Sequence, residues 1–300
     1  MPSIESLPSK QLAEVYFTYV CKKTLPHKWV MPSMVAGIDH YAKYSGGPGM
    51  MDFLVHIKGL MPVPNPYIWE ATTHELHKET AVEIGTKIKE FVEKALDKFK
   101  QAHDMARMQA KFKDWKVMSL SAIGAPGTLE FPKLKDQAPF SSWESSEKED
   151  NAKAYAKAVV EGLSEQFDKW AGKVMCPGLP LYPAFIVYPG PMGPPTPCIP
   201  MPLMLYPSAM MAEVTQPKLK DAMIAKLAKG VKDKDAAKLH EAIFDSIAFP
   251  ISLNFLLWTL SQMVMNVMGK GPVPPFAPPY VPVGPVVAGD NIAVPGHLSA

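Results

Sequence analysis

The stretch SIAFPISLNFLLWTLSQMVMNVMG, residues 246–269, contains no charged residue and sets the architecture of the second half of the chain. A helix needs about 20 apolar residues to cross a bilayer, and this stretch is long enough. However, Asn254, Gln262 and Asn266 fall within one half of a helical projection, and each amide would need a partner in lipid. A helix buried between other helices or at a subunit interface explains the pattern more simply. Insertion of 246–269 into a membrane is the alternative.

Apolar residues recur at three- and four-residue steps in several other segments, the pattern of helices with one buried face. The strongest pattern runs over 73–115, where lysine and glutamate fill the opposite face. Further helices are predicted over 152–174, 217–229 and 236–268, the last interrupted at Pro250 because proline lacks the N–H of the helix ladder. We therefore predict a mainly α fold, a helical bundle with at most minor β structure.

Two proline-rich tracts, 177–207 and 271–300, follow helices. Their prolines often return every three residues, which is the repeat of the extended polyproline II helix. This conformation makes no internal hydrogen bonds, and the side chains between the prolines are apolar, so we predict arms that must pack on another surface. For 177–207, docking on a neighbouring subunit and docking on the chain's own helices are both open. For 271–300 a neighbour is favoured, because a chain end can reach away from its own body.

A third alternative is that the arms bind aromatic grooves of other proteins, as proline-rich ligands do. Such ligands usually carry a flanking arginine, and none is present beside these tracts. Aromatic and large apolar side chains dominate the binding energy of protein interfaces. The residues we predict at an interface are Trp258, Phe276, Tyr280, Val283, Phe185 and Ile199.

Three regions follow from these patterns. Residues 1–115 form an N-terminal helical region that contains the long helix, and 116–150 form a linker or loop region. Residues 151–300 form a second helical region with both arms. Within it, a helix with a late tryptophan, a glycine stop and a proline-rich tail occurs twice, with Trp170 and Trp258 in comparable places; an internal duplication is one explanation, and a coincidental resemblance is the other.

Charge and cysteine content exclude several classes of protein. The net charge is +2, which gives no strong field for the phosphates of nucleic acid. Lysine and arginine together number 31, and only Arg107 is an arginine. Three cysteines without a CxxC motif do not support a zinc ribbon or a dithiol redox site. Reduced thiols are expected, with a bridge between Cys176 and Cys198 as the alternative.

No catalytic motif emerges. His74, Glu75 and His77 resemble a zinc-protease motif, but HExxH places its histidines four residues apart, and here they are three apart. Glu79 could serve as a third ligand, and no fourth is suggested. We predict no catalytic residue, metal site or cofactor, and a metal-dependent hydrolase is kept only as a second alternative to a structural role.

The lysine-rich long helix, the alanine-rich helices with a late tryptophan and the tail GPVVAG at 284–289 resemble structural proteins of large tailed-phage virions. The resemblance covers about residues 150–300. It implies a structural subunit of a particle that assembles with copies of itself or with other structural subunits, and it brings no site residues. The expected location is the virion or the cytoplasm, because the first residues do not form a secretory signal.

Overall fold

A computed structural model of the chain describes residues 4–24, 75–113, 116–117, 127–176, 188–189, 192–206, 211–235, 238–272, 283–284, 289–292 and 295–299. Most of this part of the chain is helical and a much smaller share lies in strands, which confirms the mainly α fold. The polyproline II conformation of the arms stays a prediction.

Eight α-helices occur in the described ranges. They are α1 Ser9–Thr24, α2 Glu75–Gln109, α3 Ala138–Ser141, α4 Trp143–Ser146, α5 Asp150–Ala171, α6 Gln216–Lys226, α7 Lys229–Lys232 and α8 Leu239–Ser261. Single 3-10 turns cover Leu134–Asp136, Leu203–Leu205 and Met211–Glu213.

Helix α8, which contains most of the uncharged stretch, is central to the fold. It packs against α1, α2 and α6, and α5 packs against α6 in turn. Phe244, Ile247, Phe255 and Trp258 on α8 are fully buried, and burial of one such side chain contributes about 1.5–3 kcal/mol. The helix is long and apolar enough to cross a membrane, but 67% of its most apolar window is buried inside the protein. This packing favours the buried-helix alternative.

The predicted interruption at Pro250 is wrong, because α8 runs through it without a break. Proline in a helix interior costs about 3 kcal/mol through the lost hydrogen bond and the ring clash. Pro250 is itself buried, as are Ala248 and Ile251 beside it. Packing on both sides of the proline therefore holds the helix together.

Helix α2 ends at Gln109, earlier than the predicted 115, because the residues that follow Gln109 form hydrogen bonds with partners distant in sequence. The Ala110 carbonyl accepts the N–H groups of Gly296 and His297, both at 3.1 Å. The chain then turns into strand β1, Lys111–Lys113. These contacts offer the backbone an alternative to further helix.

The strands are short, and every pair of them is antiparallel. After β1 they are β2 Lys116–Val117, β3 Gly127–Glu130, β4 Met175–Cys176, β5 Tyr188–Pro189, β6 Met192–Pro197, β7 Met201–Pro202, β8 Met263–Val264, β9 Met268–Pro272, β10 Val283–Gly284, β11 Gly289–Ile292 and β12 Leu298–Ser299. They form sheets in the orders β1-β3-β4, β10-β5, β2-β11-β9-β6 and β12-β8-β7.

The described parts of both proline-rich arms pair with strands of the same chain. Strands β6 and β7 of the first arm pair with β9 and β8, and β11 and β12 of the terminal arm pair with the same two strands. The register of β6 shifts between Gly193 and Thr196, where Pro194 and Pro195 supply no N–H donors. These paired parts are therefore hydrogen-bonded strands.

The region 116–150, predicted as a linker or loop, contributes to the core. Strand β3 and helices α3 and α4 lie within it. Leu134, Phe140 and Trp143 are almost completely buried there. Large apolar side chains on short helical turns anchor this region to the core. Each turn is only three or four residues long, so the sequence shows no helical period there.

The aromatic core surrounds His103, whose side chain is fully buried. The imidazole ring centroid lies 4.7 Å from that of Trp258 and between 5.6 and 5.8 Å from those of Phe99, Phe131 and Phe167. Trp170 and Trp258, the paired tryptophans of the predicted duplication, meet edge to face at 6.1 Å.

The terminal segment 295–299 is tied into this core. The His297 side chain is fully buried, and its Nδ1 accepts the backbone N–H of Phe112 at 2.9 Å. Its carbonyl accepts the N–H of Met265, and Leu298 pairs with Val264. All three neighbours precede this segment in sequence by thirty residues or more.

Candidate functional site

An open groove of about 270 Å³ lies between α2, α5 and the start of α8. Its apolar lining consists of Ile88, Phe91, Ala152, Tyr155, Leu239 and Ile243, and its polar rim of Lys87, Asn151 and Asp235. We call it the α2–α5–α8 groove.

The aromatic walls of the groove are held by the core behind them. Phe91 stacks on buried Trp143 with ring centroids 5.5 Å apart, and it meets Tyr155 edge to face at 6.0 Å. The Tyr155 ring packs in turn on Phe244 of α8, at 5.5 Å. Both walls therefore keep their positions without a ligand.

Tyr155, which lines the groove, carries a neutral hydroxyl. Burial, and then the negative charge of Asp235, raise the pKa of this phenol well above its usual value. The hydroxyl therefore stays protonated at physiological pH values and keeps its hydrogen-bond donor.

Asp235 fixes the helix end that forms one side of the groove. Its Oδ2 accepts the backbone N–H of His240 at 2.7 Å and lies 2.7 Å from His240 Nδ1. Burial alone would raise the pKa of Asp235, but the hydrogen bonds from His240 lower it below the usual value. Lys238 precedes the helix with φ of 55° and no side-chain cap, so Asp235 does the capping instead.

The rim is charged and opens to solvent. Lys87 and Glu149 approach each other at 3.9 Å with both side chains exposed, a pair that contributes little to stability. Glu147 accepts the Trp143 indole N–H at 2.5 Å and pairs with Lys94, which locks α4 to α2 below the groove. An apolar floor with a polar rim is the usual anatomy of a protein interface.

Nucleophilic chemistry finds little support here. A catalytic nucleophile needs a base within hydrogen-bonding reach. In the residues the structure describes, the Asp235 and His240 pair caps a helix, and no serine or cysteine hydroxyl or thiol is bonded to His240. The described residues also contain no group of three His, Cys, Asp or Glu side chains that could hold a metal.

The residues that resemble a zinc-protease motif lie at and just before the start of α2. Glu75, His77 and Glu79 lie in that helix, but their side chains are outside the described part, as is His74 altogether.

The predicted interface residues that the structure describes lie in different elements. Trp258 is a fully buried core residue, and Ile199 is half-buried beside Cys198. Val283 pairs with Pro189 between β10 and β5. The predictions for Phe185, Phe276 and Tyr280 lie outside the described residues.

Cys198 is a free, buried thiol, so the alternative of a bridge from Cys176 is absent from the structure. Its backbone N–H donates to the Val267 carbonyl at 2.9 Å. Burial raises the pKa of the thiol, which keeps it protonated and unreactive.

Sequence reasoning missed the groove because three helices that are distant in sequence form it. The one local signal was the apolar stripe of α5, which extends through Ala152 and Tyr155 to the exposed start of the helix. No protein-family model, curated protein or solved structure matches the chain significantly.

Proposed function

We propose that this chain is a structural subunit of a macromolecular assembly of the virion type, and that a neighbouring subunit docks in the α2–α5–α8 groove. The observation that carries the proposal is the groove itself, a preformed aromatic cleft that opens to solvent above a well-packed core. Filling such a cleft with apolar side chains contributes about 25 cal/mol for each Å² removed from water.

The occupant we propose is the proline-rich segment 273–282 of a neighbouring copy, with Phe276 and Tyr280 as its anchors. Grooves walled by aromatic side chains are the usual receptors of proline-rich segments, which lose little conformational freedom on binding. The walls formed by Phe91 and Tyr155 support this match. The tyrosine hydroxyl can donate to a backbone carbonyl of such a segment, since prolines leave carbonyls as the available polar groups.

The described arm strands support a modified role for the arms. Strands β6, β9 and β11 hold the arms to their own body, so the arms position the segments between strands for contact with neighbours. The described strands of the arms are therefore anchored to their own body in this proposal, whereas the sequence left both kinds of docking open for 177–207 and favoured a neighbour for 271–300.

The test is the mass of the full chain by light scattering over a range of concentrations. We expect masses above the 33.0 kDa of one chain, increasing with concentration. Ala152→Glu puts a charge into the groove at the first turn of α5, where an acidic residue suits the helix dipole and the fold is kept. We expect it to weaken self-association about tenfold or more.

Ala225→Glu, the same substitution at an exposed position of α6, is the matched control and should associate like the wild type. Phe276→Ser with Tyr280→Ser should reproduce the Ala152→Glu effect from the other side of the contact. A truncation before Gly271 is unsuitable, because it removes His297 and Leu298 from the core. A wild-type chain that stays monomeric up to high micromolar concentration contradicts the proposal.

The membrane alternative predicts flotation of the purified chain with liposomes. Burial of α8 argues for the structural role, and a chain that does not float while it self-associates agrees with it.

A further inference from the structure

Two stretches of the chain without a charged residue, 174–212 and 246–269, meet at the C-terminal end of helix α8. Strands β7 and β8, one from each stretch, pair with each other. The N–H of Leu203 donates to the carbonyl of Gln262, the residue that directly follows α8, at 2.9 Å. The 3-10 turn Leu203–Leu205 therefore packs against the end of α8.

This junction exposes large apolar side chains. Leu205 and Leu260 each lie two residues from the bonded pair, and they are 60% and 55% exposed. Three further leucines precede Leu260 by three, four and seven residues, so they share its side of the helix, and they are half-buried. We define the α8-end face as the exposed and half-buried apolar residues of this junction, which are Met204, Leu205, Leu253, Leu256, Leu257 and Leu260.

The charged residues that hold α1 in place lie toward the other end of α8. Leu7 is bonded to Asn254, whereas the Tyr16 ring stacks on that of Phe249 with centroids 4.4 Å apart. Helix α1 therefore runs back along α8, away from its C-terminal end. The ion pairs between α1 and α2 follow the same direction. The charge of the protein is thus separated from the α8-end face.

This composition is that of the centre of a protein interface. Such centres are depleted in lysine, glutamate and aspartate and enriched in methionine, which adapts its shape to a partner. Single exposed leucines are ordinary, but here they belong to one apolar face without a charged residue in its two stretches. The α8-end face is therefore suited to a partner surface that is also apolar.

The absence of charge also decides which partner fits. A partner that brought charged groups to this face would have to strip water from them without gaining a counter-charge. A second copy of the chain brings the same uncharged face, so it avoids that cost. We propose that the α8-end face is a two-fold contact between copies of this chain. In such a contact Leu205 of each copy meets Leu260 of the other.

This inference rests on the assembly role proposed above but uses a different surface. Docking of a segment of one copy in the groove of the next is a head-to-tail contact, which by itself extends into a row of subunits or closes into a ring. A two-fold contact adds pairing, so the subunit would assemble from dimers. The two contacts can be removed one at a time.

The test uses the Ala152→Glu chain, in which the groove contact is weakened. We expect its mass by light scattering to level off at twice the 33.0 kDa of one chain as the concentration increases. Adding Leu205→Lys and Leu260→Lys should weaken this dimer about thirtyfold or more, because both charges would be buried at the contact. Both positions are exposed in the single chain, so the fold should tolerate lysine.

Val15→Lys in the same Ala152→Glu chain is the matched control. Val15 is 69% exposed on α1 and lies outside the α8-end face, so the dimer should persist. A second readout is cross-linking with a short bismaleimide. An equimolar mixture of Leu205→Cys and Leu260→Cys chains should give more two-chain product than the wild type or Val15→Cys, which report the background of the native cysteines.

Three results would overturn the proposal. One is an Ala152→Glu chain that stays monomeric at high micromolar concentration. Another is a dimer that the two lysines leave intact. The third is flotation of the Ala152→Glu chain with phosphatidylcholine vesicles that the lysines abolish, which would assign the face to lipid.

Failure of the groove contact gives a different result. If Ala152→Glu leaves the mass of the wild type unchanged, the groove contact is wrong. The two lysines in the wild-type chain then decide the two-fold contact by themselves, since a lower mass supports it and an unchanged mass contradicts it.

Discussion

The side-chain amide of Asn254 forms hydrogen bonds with both the N–H and the carbonyl of Leu7, which lies 247 residues away in sequence. Its Oδ1 accepts the Leu7 N–H at 2.7 Å, and its Nδ2 donates to the Leu7 carbonyl at 3.2 Å and to Ser9 Oγ at 2.9 Å. An amide in the middle of an apolar helix thus holds the start of α1 on α8. The contact gives the Asn254 amide its hydrogen-bond partners inside the protein, whereas in lipid the amide would have lacked them.

Asn254→Ala should destabilise the fold by about 1–3 kcal/mol, because it leaves the half-buried N–H and carbonyl of Leu7 without these partners. Urea unfolding followed by far-UV circular dichroism measures the change. Gln101→Ala, which removes an exposed amide from α2, is the control and should shift stability little. Equal stability of the two variants would show that the contact with Leu7 contributes nothing.

Acid should destabilise the protein through two buried histidines. Burial, and then the nearby charge of Lys111, lower the pKa of His297 from 6.5 to about 4. Burial and the charge of Arg107 lower the pKa of His103 to about 3. Below pH 6.5 the two histidines are protonated in the unfolded chain but stay neutral in the folded chain. Their contribution to the free energy of unfolding is therefore complete above pH 6.5 and is lost as the pH falls toward the folded pKa values. The slope is about 1.4 kcal/mol per pH unit for each histidine.

His297→Asn should flatten this slope, because the asparagine oxygen can replace Nδ1 as acceptor for the Phe112 N–H and does not titrate. The measurement is the free energy of unfolding in urea at several pH values between 6.5 and about 4. If the free energy of unfolding of the variant depends on pH as steeply as that of the wild type, His297 does not cause the acid sensitivity.

Asp235→Ala should cost about 1 kcal/mol, the usual value of a lost helix cap. The folded pKa of Asp235 is below its unfolded value, so its contribution is present above the unfolded value of 3.8 and is lost as pH falls through the folded pKa. Thermal unfolding at neutral and strongly acid pH tests both statements. The difference between wild type and variant should shrink in acid; a constant difference would mean that the charge of Asp235 is irrelevant.

Gly162→Ala should destabilise the contact between α5 and α6 by about 1–3 kcal/mol. A Cβ there would lie 2.7 Å from the backbone nitrogen of Met223 and 2.8 Å from its Cα, so the two helices would have to move apart. Gly230→Ala, whose Cβ would meet nothing within 4 Å, is the matched control and should be neutral or slightly stabilising. Melting temperatures of the two variants decide the comparison.

The sequence predicts those elements well whose signal is local. The period of α5 and the proline at the first turn of α6 gave bounds within a few residues of Asp150–Ala171 and Gln216–Lys226. What it could not predict depends on distant partners. The pairing of Met192 with Pro272 joins segments eighty residues apart, and no local period encodes it.

The end of α2 shows the same limit. Its apolar pattern continues past Gln109, yet the contacts of Ala110 with Gly296 and His297 stop the helix. The groove also escaped prediction, because Phe91, Tyr155 and Ile243 carry ordinary helix patterns and become a site only when three helices meet.

The buried position of His297 and Leu298 has a consequence for synthesis in the cell. A growing chain cannot complete its interior until these residues have left the ribosome, so Phe112 and Val264 lack these two neighbours until then. A nascent chain stalled a few codons earlier would present that open seam to chaperones and proteases.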